Sequence, residues 1–222
     1  MYLLESDTGI DDPLAHTLLN DTIETIREHG GSNITVTLAD LNEQLEAEAP
    51  GRLIGPWQNM VASVSFWHDW HNTCISIEEH LRSQCSNLAG YLVTESVPQQ
   101  FSADWEGGKR RPGITQFGAN GKPNHVSDAE FFANWQAHSV SSFDLHPLRW
   151  SYVRNAVVRP LTENAPAYRA IVSEHFHSMD DFCDDSRYFG SEEAVQLMME
   201  EVAGFCDFEN MFSLGMSEFQ FK

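Results

Sequence analysis

The chain has 222 residues, 41% of them hydrophobic, which is enough to bury a sizeable core in one large domain or two small ones. Its 33 acidic and 13 basic residues give a formal net charge of -20 at pH 7, and this charge repels nucleic-acid backbones and anionic membranes. No apolar run approaches the roughly 18 residues of a membrane span. We therefore expect neither a nucleic-acid partner nor a membrane.

The cysteines and the first residues of the chain predict a cytoplasmic location. The cysteines show no CxxC spacing and do not suggest a disulfide framework, so reduced thiols are expected at Cys74, Cys85, Cys183 and Cys206. The opening stretch, MYLLESDTG, lacks the basic segment and the long apolar run of a secretory signal.

The first half of the chain predicts the element order β-α-β-β-α-β. Asp12 and Pro13 form an N-cap and first-turn pair for a helix that ends at a glycine pair. Ser76 and Glu79 form a capping box for the second helix. Residues 41–50 are acidic and receive no assignment. Alternating or apolar runs predict strands at residues 1–6, 34–38, 61–67 and 88–97.

The second half predicts the same order of elements. Ser127 and Glu130 form a capping box at the start of one helix, and helical spacing of apolar residues predicts another at residues 192–203. The predicted strands are residues 114–117, 149–159, 168–176 and 211–221. Repetition of one order of elements suggests duplication of a structural unit.

A polar linker at residues 98–112 divides the chain into an N-terminal half, 1–106, and a C-terminal half, 107–222. Each half is predicted to form a ferredoxin-like unit, whose sheet has one face covered by helices and one bare face. The two bare faces can bury each other. The predicted fold is therefore α+β, with two ferredoxin-like (βαββαβ) units forming a dimeric-type α+β barrel within one chain.

The leading site prediction comes from the helix that begins at the capping box. Phe131, Trp135 and His138 fall at i, i+4 and i+7, which places a histidine on an aromatic helix face. The following strand could bring Tyr152 or Asn155 to the same pocket. The alternative is that His138 is a core residue that holds a backbone carbonyl.

This pattern resembles an EthD domain of the dimeric α+β barrel superfamily. The resemblance covers residues 112–212 well and residues 1–97 only by the order of elements. It rests on Phe131, Trp135 and His138 in the helix, the Tyr-x-Arg-Asn strand at Tyr152, Arg154 and Asn155, the aromatic-ended strand at 174–176, and Asp207 before the last strand.

The resemblance implies an enzyme that acts on a small molecule without an organic cofactor. His138 is predicted to be a general base or acid, Tyr152 to stabilise a developing enolate oxygen, and Asp207 to orient the histidine or to serve as a second base. Asp207 in a solvated turn is an equally good interpretation. The predicted substrate-binding residues are Phe131, Trp135, Arg154, Asn155 and His175.

Two charged clusters are further candidates for a site. His175 and His177 share one side of a strand near Asp180 and Asp181, but no complete ligand set follows from the spacing, and no metal is predicted. The basic triplet 109–111 is interpreted as a solvated linker. Alternatively, one of its residues or Arg154 attracts a substrate carboxylate.

The predicted function is a cofactor-independent lyase or isomerase that moves a proton on a small hydrophobic or aromatic metabolite. The alternatives are a non-catalytic module that binds a hydrophobic ligand or haem, and a cofactor-free oxygenase. No Rossmann glycine motif, P-loop or nucleophile elbow is present, which argues against nucleotide cofactors and acyl-enzyme chemistry. Association of two barrels as a homodimer is left open.

Overall fold

The computed structural model describes residues 1–39, 59–70 and 74–222, and the elements below belong to these residues. The strands are β1 (Tyr2–Glu5), β2 (Ser32–Leu38), β3 (Met60–Trp67), β4 (Asn87–Gln99), β5 (Ile114–Gly121), β6 (Arg149–Pro160), β7 (Tyr168–Phe176) and β8 (Asp207–Phe221). The helices are α1 (Asp12–Leu19), α2 (Asp21–Glu28), α3 (Ile75–Arg82), α4 (Asp128–Leu145), α5 (Met179–Cys183), α6 (Asp185–Tyr188) and α7 (Glu192–Ala203).

The eight strands close into one antiparallel barrel in the order β1-β3-β2-β8-β5-β7-β6-β4. The strands of the first half are therefore adjacent as β4-β1-β3-β2, and those of the second half are adjacent in the same relative order, β8-β5-β7-β6. Two seams join the halves. Val36 of β2 lies opposite Phe219 of β8, and Thr94 of β4 lies opposite Ala156 of β6. The predicted mixed fold with a barrel is confirmed.

Alternation along the strands separates the inside of the barrel from the helix-covered outside. On β1, Tyr2 and Leu4 pack against residues of α1, α2 and α3, whereas Leu3 between them faces the interior. The interior cluster is apolar and combines both halves: Leu3, Ala39, Met60, Ala89, Tyr91, Phe117, Ala119, Val157, Tyr168, Ile171, Phe212, Leu214 and Met216. The barrel is thus a packed core over part of its length.

Of the two capping boxes that the sequence predicts, the structure contains one. The Ser127 hydroxyl accepts from the Glu130 N–H and the Glu130 carboxylate accepts from the Ser127 N–H, so the predicted capping box is confirmed. The box predicted at Ser76 is wrong, because α3 already begins at Ile75 and Ser76 lies within it.

The first helix also differs from the prediction. Asp11, not Asp12, is its N-cap, because the Asp11 carboxylate accepts from the N–H of Leu14. The helix expected to continue to the glycine pair is divided at Asn20 into α1 and α2. Helices α5 and α6 were not predicted, since four or five residues are too few to show helical periodicity. Residues 41–50 lie outside the described residues.

None of the described helices combines the length and the apolar character that crossing a membrane would require.

A leucine inside the barrel should contribute far more to stability than one on the surface. Leu3 is 0% exposed and Leu197 on α7 is 45% exposed. Leu3→Ala should lower the free energy of unfolding by about 2–5 kcal/mol, since it leaves a cavity, and Leu197→Ala by about 0.5 kcal/mol or less. Urea unfolding measures both. Equal losses in the two variants would contradict the interior position of Leu3.

Candidate functional site

The predicted site residues lie on two opposite sides of the sheet. On β6, Tyr152 and Arg154 face α4, because Tyr152 approaches Ser139 of that helix and Arg154 lies over Trp135. Asn155 faces the barrel interior, since neighbouring strand residues point to opposite sides. The convergence of His138 with Asn155 that the sequence suggested is therefore not found.

His138 forms its polar contact with a neighbouring helix. Its Nδ1 lies 2.8 Å from Oε2 of Glu201 on α7, and the same oxygen accepts from the Ser141 hydroxyl at 2.6 Å. Because a carboxylate only accepts, Nδ1 carries the proton in this contact and Nε2 is the nitrogen that can take another. Glu201 was missed by the sequence reasoning, as nothing in the sequence of α7 distinguishes it from neighbouring acidic residues.

Phe131 and Trp135 are packing residues of the helix–sheet interface. They are buried in a cluster with Val126, Ala170, Phe205 and Cys206. The Arg154 guanidinium lies 4.0 Å from the centre of the Trp135 ring and donates to the Gln136 side-chain oxygen at 2.9 Å. These contacts fill the interface near the start of α4.

Tyr152 belongs to a buried polar network that the sequence did not reveal. Its hydroxyl lies 3.4 Å from that of Ser139, and the Arg149 guanidinium lies 4.3 Å from its ring centre. Arg149 in turn donates to Glu174 at 2.5 Å. Burial, with a further contribution from Glu174, raises the pKa of the Tyr152 hydroxyl. Burial alone would raise the pKa of Glu174, but Arg149, through its positive charge and its hydrogen bond, together with the nearby His146 imidazole, leaves that pKa below the ordinary value.

Asp207 is the first residue of β8. Its carboxylate accepts from the backbone N–H of Glu209, two residues along the same strand, at 3.1 Å. The carboxylate described beside His138 belongs to Glu201 and not to Asp207.

The larger of the two described cavities, about 990 Å³ in volume, opens at one mouth of the barrel. Interior-facing strand residues line its wall, and the segment that follows β4 covers it with Phe101 and Trp105. The residues that line it include Trp67, Glu95, Phe101, Asp104, Trp105 and Arg111. Aromatic and polar side chains both line it, and its volume is within the range of small-molecule sites. We call it the barrel-mouth cavity.

A buried ion pair lies at the edge of this cavity. Arg111 donates from Nη1 to Glu218 Oε1 at 2.8 Å, and the side chains are 3% and 4% exposed. The Thr115 hydroxyl lies 2.7 Å from Nδ1 of His175 and 3.3 Å from Glu218. Nε2 of His175 faces the Pro112 carbonyl at 2.6 Å. Since a carbonyl only accepts, Nε2 carries the proton and Nδ1 accepts from Thr115.

Burial, followed by the positive charge of Arg111, lowers the pKa of His175 to about 3. The imidazole is therefore neutral near pH 7 and fixes Thr115 and the Pro112 carbonyl. Among the predicted binding residues, His175 and Asn155 lie on the barrel side, while Phe131, Trp135 and Arg154 lie on the helix side. Arg111, which the sequence placed in a solvated linker, is buried.

Glu95 is a cavity-lining carboxyl group with a raised pKa. Its side chain is open to the cavity, yet the barrel wall removes part of its hydration and raises the pKa of the carboxyl. Asn155 lies directly opposite it on β6.

The His175 and His177 pair does not form the core of a metal site. Both ring nitrogens of His175 have protein partners, and His177 stacks on Trp150 with ring centres 3.4 Å apart. Within residues 1–39, 59–70 and 74–222, no group of three or more ligand side chains is arranged to hold a metal ion.

Among solved structures, the chain is similar to one described as an anthrone oxidase-like protein. The TM-score is 0.61 at 10% sequence identity, over 99% of this chain and 91% of the other. At this identity the likeness shows the fold alone. No protein-family profile and no curated protein sequence matches the chain. Membership of the EthD family stays a prediction.

The buried His175 should make the folded state sensitive to mild acid. Its pKa falls from 6.5 in the unfolded chain to about 3 in the folded one, so only the unfolded chain binds this proton between these values. The stability that it contributes is fully present above pH 6.5 and is lost as the pH falls toward 3. His146, whose pKa burial also lowers, acts in the same direction.

His175→Gln should therefore flatten the fall in unfolding free energy between pH 6.5 and 5, a window above ordinary carboxyl titration. Urea unfolding across this range measures it. His16→Gln, at an exposed position on α1, is the matched control. Parallel pH profiles for wild type and His175→Gln would contradict the neutral buried state.

Proposed function

We propose that the protein is an enzyme that removes a proton from a small hydrophobic or aromatic metabolite bound in the barrel-mouth cavity. The observation that carries the proposal is the combination, in one cavity of about 990 Å³, of aromatic walls with a carboxyl group of raised pKa. The substrate rings pack against Phe101, Trp105 and Trp67. Glu95 accepts the proton.

A raised pKa makes Glu95 a stronger base than an ordinary glutamate. The proton comes from a carbon activated by a neighbouring carbonyl or aromatic ring. The anion left on the substrate is then available for reaction.

Two reaction classes share this first step. In an oxygenase-related reaction, O2 adds to the carbanion and loss of water leaves a carbonyl, so one O2 is consumed and one water is released for each CH2 converted to C=O. In a lyase or isomerase, the proton returns elsewhere or a leaving group departs. The solved neighbour described as anthrone oxidase-like favours the oxygenase class, since an anthrone is an aromatic ketone with an acidic CH2 group.

Anthrone is a suitable probe for both steps. Anaerobic incubation in D2O, followed by mass spectrometry, measures proton removal as deuterium uptake above the buffer rate. Incubation in air measures O2 consumption and quinone formation. We expect both with wild type. Glu95→Gln should reduce deuterium uptake by at least about 100-fold, the usual contribution of a general base.

Asp104→Asn is the matched control, because it removes another carboxylate from the same cavity lining. It should retain uptake. Full uptake in Glu95→Gln would reject Glu95 as the base, and deuterium uptake without O2 consumption would move the protein from the oxygenase class to the lyase or isomerase class.

His138 is a second candidate base. The observation in its favour is the 2.8 Å contact with Glu201, which fixes the imidazole with Nε2 as the proton-accepting atom. Its side chain is 13% exposed, so it is partly accessible. In this alternative Tyr152 stabilises the enolate oxygen, and the chemistry is the lyase or isomerase type that the EthD resemblance implies.

The two candidates are separated by His138→Asn. If Glu95 is the base, this variant keeps deuterium uptake within about threefold of wild type, since His138 lies on the other side of the sheet. A loss of about 100-fold in His138→Asn, with Glu95→Gln unaffected, would assign the reaction to the helix side. Glu201→Gln should then show a smaller loss, because it alters only the orientation of the imidazole.

We further propose that the barrel consists of two ferredoxin-like units, residues 1–106 and 107–222, of which the second is EthD-like. The shared strand order of the two halves supports the division. A small-molecule substrate, a cytoplasmic location and association of two barrels as a homodimer belong to the same proposal. A haem-binding module is the non-catalytic alternative, and a Soret band in the purified protein would favour it.

A further inference from the structure

Arg111 has more hydrogen-bond donors than the protein around it satisfies. The residue is 3% exposed, and Nη1 donates to Glu218 at 2.8 Å. Among the residues that the structure describes, no group accepts from its Nε or Nη2, although both atoms are buried. Buried donors without acceptors are rare because each has lost its hydrogen bonds to water without gaining a partner, so this pair calls for an explanation.

The two unsatisfied atoms form one edge of the guanidinium. The Nε–H and one Nη2–H point in the same direction, and their spacing matches the two oxygens of a carboxylate. Glu218 binds the opposite side of the group through Nη1 alone. Arg111 can therefore hold Glu218 and a second carboxylate at the same time.

A third unsatisfied donor belongs to the neighbouring residue Trp105. Nε1 of Trp105 is buried without an acceptor among the described residues, and the Arg111 guanidinium lies 5.4 Å from the Trp105 ring centre. The Phe101 ring covers the guanidinium at 3.6 Å. All three residues line the barrel-mouth cavity. An aromatic carboxylate bound against the Phe101 and Trp105 rings would bring its own acceptor to these donors.

The other charged residues of the cavity are of both signs: Arg27 and Lys222 line it together with Glu95 and Asp104. Arg110 lies next to Arg111 in the chain. Arg110 has its own partners, donating to Ser217 at 2.6 Å and to the Gly113 carbonyl at 3.3 Å. The arginines are thus distinguished by geometry: Arg110 is satisfied and exposed, whereas Arg111 is buried with a free carboxylate-binding edge.

We propose that Arg111, with Trp105, anchors the carboxylate of an aromatic substrate in the barrel-mouth cavity. The inference rests on the proposed function, because it names the class of molecule that the same cavity takes. It assigns to the substrate a carboxylate separated from the reacting carbon by a flat ring system that packs on Phe101 and Trp105.

Binding of a naphthalene carboxylate and of the matching naphthalene carboxamide tests the proposal by calorimetry. The two probes share the ring, but only the first carries a charge. Wild type should bind the carboxylate at least about tenfold more tightly than the amide, since paired charge-assisted hydrogen bonds are lost with the amide. Equal affinities would overturn the proposal without the use of any variant.

Arg111→Lys keeps the positive charge and the contact with Glu218 but removes the planar edge, so it should weaken carboxylate binding at least about tenfold. Arg110→Lys is the matched control and should leave it unchanged. Trp105→Phe, which keeps the ring and removes only the N–H, should weaken carboxylate binding by a few fold. Unchanged binding in both Arg111→Lys and Trp105→Phe would overturn the proposal, and circular dichroism checks that each variant is folded.

Failure of the anion site can be distinguished from failure of the proposed function. Selective carboxylate binding with no deuterium uptake from any probe would keep the anchor and reject the enzyme. Turnover of anthrone with no preference for carboxylates would keep the enzyme and reject the anchor.

Discussion

The closed hydrogen-bond circuit of the barrel is the constraint on which the rest of the structure depends. Two seams, β2 with β8 and β4 with β6, leave no free strand edge in the described barrel, and this fixes the register of all eight strands. Register in turn decides which side chains face inward. The interior is apolar around Leu3 and Phe117 and becomes polar toward Glu218 and Arg111.

The buried arginines show how an acidic chain accommodates cations on both sides of its sheet. Removing a guanidinium from water is costly, and a carboxylate partner, an aromatic face or both offset that cost. Three buried arginines use the aromatic face: Arg111 over Phe101 at 3.6 Å, Arg149 over Tyr152 at 4.3 Å and Arg154 over Trp135 at 4.0 Å. Of these, Arg111 and Arg149 also have a buried carboxylate.

The order of elements could be predicted from the sequence because it depends on local patterns. The capping box at Ser127 and the strand at 168–176 were predicted as the structure has them. The ion pair between Arg111 and Glu218 could not be predicted. The two residues are 107 positions apart in the sequence and meet only when the barrel closes. A basic triplet in a polar stretch is typical of a solvated linker, so nothing in the sequence around Arg111 indicated that this residue is buried.

In the candidate site, too, local patterns could be predicted from the sequence and long-range contacts could not. The helical spacing of Phe131, Trp135 and His138 correctly placed them on one face, but spacing does not tell a catalytic face from a packing face. The alternation along β6 was sufficient to separate Tyr152 from Asn155. It could not show that Tyr152 lies against a helix and Asn155 inside the barrel, because this depends on which side of the sheet the helices cover.

Joining both halves of the barrel in one polypeptide removes a restriction that assemblies of identical chains obey. When two copies close a barrel, symmetry repeats each side chain, so a change that benefits one half is imposed on the other. Here, within the described part of the chain, the Arg111 and Glu218 pair occurs once. One part of the barrel can therefore specialise for recognition while the rest is selected only for packing. A substitution in one half does not have to suit the equivalent position in the other half.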